Sequence, residues 1–157
     1  MKTNAVRQLE RENIPFELRE YDVDEDHLEA ERVAEQLGLE TASVFKTIIT
    51  IGDRTGPLFA LTPAGCHLEP RLLADASHNK RIEVAPLKSV LELTGYIRGS
   101  VTPLAAKRAF PVFIDETVVL WPQVSISAGR RGLQILIAPG DLVRVTHATL
   151  ADFARPA

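Results

Sequence analysis

One lysine stands inside a stretch of sequence that is otherwise suited to a buried β-strand. Residues 44–51 read Val-Phe-Lys-Thr-Ile-Ile-Thr-Ile, and every position except Lys46 is apolar or β-branched, which is typical of a strand. A buried ammonium group without a partner costs free energy, so Lys46 must be paired, extend to solvent or face a cavity. A cavity that receives an anionic or carbonyl-bearing ligand would account for it. The alternative is simple alternation, in which Val44, Lys46 and Ile48 share one face and the lysine lies near a sheet edge.

Two later segments are rich in small residues. Residues 96–103 read Tyr-Ile-Arg-Gly-Ser-Val-Thr-Pro, and residues 125–132 read Ser-Ile-Ser-Ala-Gly-Arg-Arg-Gly. Loops of this type expose backbone N–H groups that can bind oxygen atoms of carboxylates, ester carbonyls or phosphates. Either segment alone is more typical of an ordinary turn. Together with a lysine in an apolar strand, they indicate a site that stabilises negative charge on oxygen.

The remaining chemistry-bearing residues form no recognisable catalytic or metal-binding pattern. Cys66 and His67 are adjacent, but neighbouring loop residues rarely point at each other and no third group is evident to orient them. We therefore expect residues 64–67 to form a turn. The four histidines and single cysteine lack zinc-site spacing, and phosphate-loop and serine-hydrolase motifs are absent from the sequence. We expect no metal and no cofactor.

The net charge of −3 hides an uneven distribution. Residues 17–40 contain ten acidic and two basic side chains, a net charge of −8, so the rest of the chain carries +5. A weakly acidic protein of this kind can still present a basic face to RNA phosphates. The alternative is that the basic side chains are ordinary solvated surface groups. The candidates for RNA contact are Arg98, Lys107, Arg108, Arg130 and Arg131.

Length and composition predict one soluble globular domain over residues 1–157. No window approaches the roughly 18 apolar residues of a membrane-spanning helix, and the N-terminal residues lack the apolar core of a signal peptide. We therefore expect no membrane association. A single cysteine excludes an intrachain disulfide, which fits the reducing cytoplasm.

Hydrophobic periodicity and turn residues predict about seven short strands with interspersed helices. The strands do not alternate regularly with long helices, so a doubly wound sheet is not expected. We predict an α+β fold in which a mixed, largely antiparallel sheet closes into a barrel-like core with surrounding helices. Residues such as Lys46 would line its central cavity. The predicted strands cover residues 16–21, 44–51, 58–62, 81–84, 112–115, 124–127 and 133–138, and the helices begin near Thr3, Leu28, Pro70, Pro86 and Pro139.

Several motifs, taken in order, resemble those of the YbaK/EbsC family. They are Val-Phe-Lys-Thr at 44–47, Thr-Gly-Tyr at 94–96 leading to Gly-Ser-Val-Thr-Pro-Leu at 99–104, and Ser-Ala-Gly-Arg-Arg-Gly-Leu at 127–133. Supporting matches extend from Pro15-Phe16 to Gly140-Asp141-Leu142, so the resemblance covers nearly the whole chain. Within the family the chain resembles the YbaK-type Cys-tRNA(Pro) deacylases, which are related to the editing domain of bacterial prolyl-tRNA synthetase.

The resemblance implies an enzyme that removes a mischarged amino acid from tRNA, with tRNA(Pro) as the expected tRNA and prolyl-tRNA synthetase as a candidate partner. It makes Lys46 the main functional residue. Such an enzyme orients an already activated ester and stabilises charge on its carbonyl oxygen. In the YbaK branch the thiol of the substrate's own cysteine attacks that carbonyl. By the same resemblance, the pocket is lined by Tyr21, Thr47, Gly99, Ser100, Val101, Thr102, Ser127, Ala128 and Gly129.

The chain also departs from the family pattern. The family's Gly-Gly-Ile-Ser-Pro loop is Gly-Ser-Val-Thr-Pro at 99–103, its Ser-Gly-Gly is Ser-Ala-Gly at 127–129, and some members carry an acidic residue on the strand that holds Gln134 and Leu136. These differences bear on which amino acid is cleared, with alanine, serine and threonine as alternatives to cysteine. A binding module without catalytic activity is the alternative to an enzyme.

Overall fold

The computed structural model describes residues 2–157 and has an α+β architecture. Its α-helices are α1 (Asn4–Arg11), α2 (Ala30–Leu37), α3 (Pro70–Ser77), α4 (Leu87–Thr94) and α5 (Pro139–Thr146). Its strands are β1 (Glu17–Glu20), β2 (Phe45–Gly52), β3 (Gly56–Pro63), β4 (Cys66–Leu68), β5 (Ile82–Val84), β6 (Val112–Asp115), β7 (Val124–Ser127), β8 (Leu133–Ile137), β9 (Thr149–Ala151) and β10 (Ala154–Pro156). Two 3₁₀ turns, Thr41–Ser43 and Glu116–Leu120, complete the described chain.

Local sequence signals explain most of these boundaries. The Thr3 side chain accepts a hydrogen bond from the Val6 N–H and so caps α1. Gly38 and Gly95 end α2 and α4 in the left-handed conformation, which glycine adopts without strain. All five predicted helices and all seven predicted strands are present. Three strands of three residues each, β4, β9 and β10, were not predicted, whereas β5, which has the same length, was.

The strands form three sheets rather than one. Their orders are β5-β2-β3-β6-β9, β1-β8-β7 and β10-β4. The sheets are mixed, since β3 pairs in parallel with β6 and β6 with β9, while the other pairs are antiparallel.

The predicted closed barrel is wrong. Within residues 2–157 no sheet closes on itself, because β5 and β9 remain the edges of the five-stranded sheet. Among the described residues, one isolated parallel bridge, Val44 to Ser125, joins that sheet to the β1-β8-β7 sheet. The two sheets therefore meet at the start of β2 and separate beyond it.

Both faces of the β2–β3 hairpin are covered, which explains its nearly continuous apolar sequence. Phe45 and Ile49 belong to one core cluster together with Ile126 and Ile135 of the neighbouring sheet. Leu58 of β3 belongs to a second cluster with residues of α3 and the C-terminal segment, and Ile48 packs against it. The alternation expected for β2 is therefore present, but neither face is simply open to solvent.

Candidate active site

A cavity of about 520 Å³ opens where the two larger sheets separate. Its floor includes the first half of β2, and its walls come from the start of α2, the β5–α4 junction, the loop at 98–101 and the β7–β8 hairpin. Most of the lining is apolar. The polar or charged side chains that line it are those of Tyr21, Glu29, Lys46, Thr47, Arg98, Ser127 and Gln134.

Lys46 is partly buried and lines this cavity. Its strand partner on β3 is Thr62, and no salt bridge in residues 2–157 includes its ammonium group. A lysine on this strand therefore presents a fixed positive charge to an otherwise largely apolar space. Such a charge attracts an anion or a polarised carbonyl oxygen more strongly here than in bulk water.

Thr47 follows Lys46 and also lines the cavity. Its Oγ1 is shielded from solvent and has no hydrogen-bond partner, as is the case for Thr62 Oγ1 on the adjacent strand. A buried hydroxyl without a partner costs about 1–3 kcal/mol. A ligand that hydrogen-bonds to Thr47 would recover that cost.

The loop at 98–101 forms one wall of the cavity. Arg98, Gly99 and Val101 line the cavity, and no backbone acceptor in the described chain receives the Gly99 or Val101 N–H. Gly99 has φ +90°, and a Cβ there would come within 3.3 Å of Leu28 and the Arg131 side chain. Glycine at this position therefore lets the backbone approach the cavity wall closely.

Ser100 and Thr102 are buried and lie outside the cavity lining. The Ser100 N–H and hydroxyl both donate to the Ile97 carbonyl, and the Thr102 hydroxyl accepts from the Leu104 N–H. The side chains of both residues shape the turn, and neither residue lines the cavity in this structure.

The predicted residues of the β7–β8 hairpin also fall into two groups, one that lines the cavity and one that only supports it. Ser127 lines the cavity, whereas the Ala128 N–H donates to the Leu133 carbonyl and the Gly129 N–H to the Ser127 hydroxyl. Gly129 has φ +95°, and a Cβ there would meet the Tyr96 ring at 3.0 Å. Ala128 and Gly129 therefore fix the position of Ser127 instead of binding a ligand with their own N–H groups.

Tyr21 connects the cavity to a second, more polar cleft of about 540 Å³. This cleft is also lined by Arg130 and Arg131. Arg131 Nε donates to the Arg98 carbonyl over 2.8 Å, and Arg130 lies 3.7 Å from Glu20. Arg98 thus lines the cavity and Arg130 and Arg131 line the adjoining cleft, whereas Lys107 and Arg108 line neither space.

Gln134 lines the cavity from β8 and was not among the predicted site residues, although its strand was one of the departures from the family pattern. Gln134 is 5% exposed, and its Oε1 accepts a 2.7 Å hydrogen bond from the fully buried Ser125 hydroxyl. Its Nε2 is therefore the end of the amide that remains to face a ligand. The available signal was the one that singled out Lys46, a polar residue inside an apolar strand. Glu29, Val84 and Leu87 also line the cavity and gave no such signal.

Cys66 and His67 lie away from the cavity on strand β4, so the turn predicted over residues 64–67 is confined to Ala64 and Gly65. They pair with the C-terminal strand at Pro156 and Arg155, and His67 Nε2 lies 3.6 Å from Glu69. In the described residues no group of three potential ligands could hold a metal ion. No helix of the described chain is both long and apolar enough to cross a bilayer.

The fold and sequence place this chain in a known family. The profile of the aminoacyl-tRNA editing domain matches residues 24–145. The chain is 41% identical over 151 residues to EbsC of Enterococcus faecalis (strain ATCC 700802 / V583), a protein inferred to be a Cys-tRNA(Pro)/Cys-tRNA(Cys) deacylase, with 96% of this chain and 92% of EbsC covered. This chain therefore belongs to the aminoacyl-tRNA editing domain family, as its motifs predicted.

Solved structures support the same fold. A protein inferred to be a trans-editing enzyme for prolyl tRNA synthetase superposes with a TM-score of 0.84 at 22% identity, covering 99% of both chains. The crystal structure of a hypothetical protein superposes with a TM-score of 0.89 at 21% identity, covering 98% of this chain and 100% of the other. At these identities the likeness concerns the fold.

Proposed function

We propose that this protein is a trans-editing deacylase that removes a mischarged amino acid, foremost cysteine on tRNA(Pro), in the cytoplasm. The observation that carries the proposal is the Lys46 ammonium group, which lines an apolar cavity and has no salt-bridge partner in the described chain. Membership of the editing family supports an aminoacyl ester as the ligand.

The cavity lining contains neither cysteine nor histidine within residues 2–157. A nucleophile–base pair of the kind used by cysteine and serine hydrolases is therefore not assembled there. An aminoacyl ester does not require such a pair, because the ester is already activated. In the proposed reaction the substrate's cysteine thiol attacks its own ester carbonyl, a C–S bond forms, and the C–O bond to the tRNA ribose breaks. The proton of the thiol passes to the departing ribose oxygen, and a cyclic thiolactone leaves.

Charge stabilisation and positioning are then the protein's main tasks. Lys46 holds the oxygen on which negative charge develops, or the terminal phosphate that places it. Gly99 and Val101 line the same cavity, and their N–H groups, which have no backbone acceptor in the described chain, can complete an oxyanion site. Tyr21, Thr47 and Ser127 complete the polar part of the pocket. The lining is supported by four residues outside it, namely Ser100, Thr102, Ala128 and Gly129.

The amino acid preference follows from the shape of this pocket. Leu28 lies close to Gly99, so small changes at either position alter the room for the amino acid side chain. The Gln134 amide provides the polar contact on the other wall. The arginines near the entrance contact the tRNA backbone, and prolyl-tRNA synthetase is the partner that would deliver the tRNA.

A deacylation panel tests the proposal. Purified protein is incubated with Cys-tRNA(Pro), Ala-tRNA(Pro) and Ser-charged and Thr-charged tRNA, with correctly charged Pro-tRNA(Pro) as the matched control. We expect Cys-tRNA(Pro) to lose its amino acid fastest and Pro-tRNA(Pro) to remain charged. If no substrate reacts faster than its spontaneous hydrolysis while tRNA still binds, the protein is a binding module. Faster loss of alanine, serine or threonine would reassign the substrate.

A further inference from the structure

At the cavity floor, strand β2 has a residue whose main-chain N–H and C=O face an edge to which no strand of the described chain pairs. Hydrogen bonds fix the direction of the main-chain groups along β2, because alternate residues of an antiparallel strand point to opposite edges. The Ala64 N–H donates to the Val44 carbonyl on the β3 side, and the Ala85 N–H donates to the Ile49 carbonyl on the β5 side. Even-numbered residues of β2 therefore bond to β3, and odd-numbered residues face the other edge.

Thr47 lies on the part of that edge to which no strand pairs. On one side, β5 pairs only with residues 50–52, and Ala85 adds its bond to Ile49. Pro86, which has no N–H, then turns the chain into α4. On the other side, β7 meets β2 at the single Val44–Ser125 bridge. The N–H and C=O of Thr47 thus point into the gap between β5 and β7.

Strand β7 presents a matching edge. The Ala128 N–H donates to the Leu133 carbonyl, which continues the register in which Val124 and Ile126 oppose Ile137 and Ile135 on β8. The main-chain groups of Ser127 therefore face away from β8, toward β2. Thr47 and Ser127 both line the cavity, so the gap between these two diverging strands is part of its floor.

We propose that this gap binds the α-aminoacyl group of the substrate by main-chain hydrogen bonds, as one added residue of β-sheet. An aminoacyl ester carries an ammonium donor and a carbonyl acceptor on either side of one Cα, which is the arrangement that a strand residue offers to its neighbour. The Thr47 carbonyl accepts from the ammonium group, and the Thr47 N–H donates to the ester carbonyl. This inference rests on the proposed function for the identity of the ligand.

The arrangement explains how one site can hold different amino acids. Main-chain bonds recognise the part that all aminoacyl esters share, while the side chain is left to the surrounding pocket. It also places the ester carbonyl beside Lys46, the residue that precedes Thr47. A free α-ammonium group becomes a requirement for tight binding.

The test uses two stable analogues of the charged tRNA end. One is 3′-cysteinylamino-3′-deoxyadenosine, and the other is its 3-mercaptopropionyl counterpart, which lacks only the amino group. We expect the second analogue to bind about 10- to 100-fold more weakly, because a hydrogen bond to a charged group is lost. In amide hydrogen exchange, the Thr47 and Ser127 N–H groups should exchange faster than those of Lys46 and Ile48 in the free protein. The cysteinyl analogue should slow the Thr47 exchange. Thr47→Val, which keeps the main chain, should retain the discrimination.

Equal affinity for the two analogues would overturn the inference, as would a Thr47 amide that is as protected as that of Lys46 before ligand is added. Binding of neither analogue would also reject it. The deacylation panel is read separately. Discrimination and Thr47 protection without turnover would leave the inference standing and reject the deacylase, whereas turnover with equal affinities would do the opposite.

Discussion

At the scale of single residues, two polar side chains in apolar strands have different surroundings. Gln134 is buried and its carbonyl oxygen is occupied by the Ser125 hydroxyl, so it is a neutral group of fixed orientation. Lys46 has no salt-bridge partner in residues 2–157. A charge left unpaired beside an apolar cavity is explained by a ligand more readily than by folding.

We expect Lys46→Ala to lower kcat/KM for the preferred aminoacyl-tRNA by about 100- to 1,000-fold, because a fixed charge that stabilises the carbonyl oxygen is lost. Lys46→Arg should retain part of the activity. The melting temperature should not fall, since no salt bridge is broken. Single-turnover deacylation measures the first effect and thermal unfolding the second. Lys80→Ala, which removes an exposed lysine outside the cavity, is the matched control and should match the unmodified protein. Equal activity of both variants would contradict the role of Lys46.

Tyr96 makes a prediction about alkaline stability. Its hydroxyl donates to the Leu104 carbonyl, and burial raises the pKa of Tyr96 above its usual value of 10.0. The unfolded chain therefore loses this proton at a lower pH than the folded protein does. The contribution of Tyr96 to stability is complete below about pH 10 and is lost as the pH rises through the raised folded-state pKa. Denaturant unfolding at pH 9 and above should show a shallower decline for Tyr96→Phe than for the unmodified protein. Parallel declines would contradict this.

At the scale of elements, the β2–β3 hairpin is held at its turn by Asn79. The Asn79 Oδ1 accepts from the Arg54 and Thr55 N–H groups, and its Nδ2 donates to the Thr55 and Ser77 hydroxyls. Gly52 lies directly against this side chain, and a Cβ at Gly52 would overlap the Asn79 amide. The far end of the strand that carries Lys46 is thus anchored to the end of α3.

Gly52→Ala should destabilise the protein by about 1–3 kcal/mol, because the added methyl group displaces the Asn79 amide from its four hydrogen bonds. Gly140→Ala is the matched control. Gly140 lies in α5, and open space surrounds the place that a Cβ would take there, so alanine should be neutral or stabilising by about 0.5–1 kcal/mol. Urea unfolding measures both. Equal stability of the two variants would contradict the close approach at Gly52.

At the scale of the whole molecule, charges that are separated along the sequence come together at the two clefts, which Glu20, Asp22 and Glu29 also line. The acidic residues are concentrated between positions 17 and 40, while Arg98, Arg130 and Arg131 lie beside the two adjoining clefts. Lys107 and Arg108 lie outside both, so the structure brings together three of the five basic residues that were candidates for RNA contact. We propose that a tRNA whose 3′ end enters the cavity contacts the first three.

If Arg131 contacts phosphate, tRNA binding should weaken with salt, and Arg131→Gln should reduce the slope of log Kd against log salt by about 1. Arg71→Gln is the matched control, because Arg71 is an exposed arginine on α3 that lines neither cleft. Titrations at several salt concentrations measure both slopes. An unchanged slope in Arg131→Gln would remove this residue from the RNA-binding surface.

The sequence by itself determined the five helices, seven of the strands and the family, and it singled out Lys46, whose functional role stays a prediction. Periodicity, caps and glycines act over a few residues, so they predicted the helices and longer strands, and the ordered motifs predicted the editing domain. They could not predict how the sheets meet, because pairing between distant strands depends on the packing of both faces. Only the tertiary structure left the sheets open instead of closed into a barrel. The structure shows that Gln134 lines the cavity wall and that the Thr47 main chain lies unpaired where β5 ends before Pro86. Four predicted pocket residues instead support the lining from outside it, namely Ser100, Thr102, Ala128 and Gly129. These results depend on which hydrogen bonds are already satisfied inside the fold, a property that no local pattern contains.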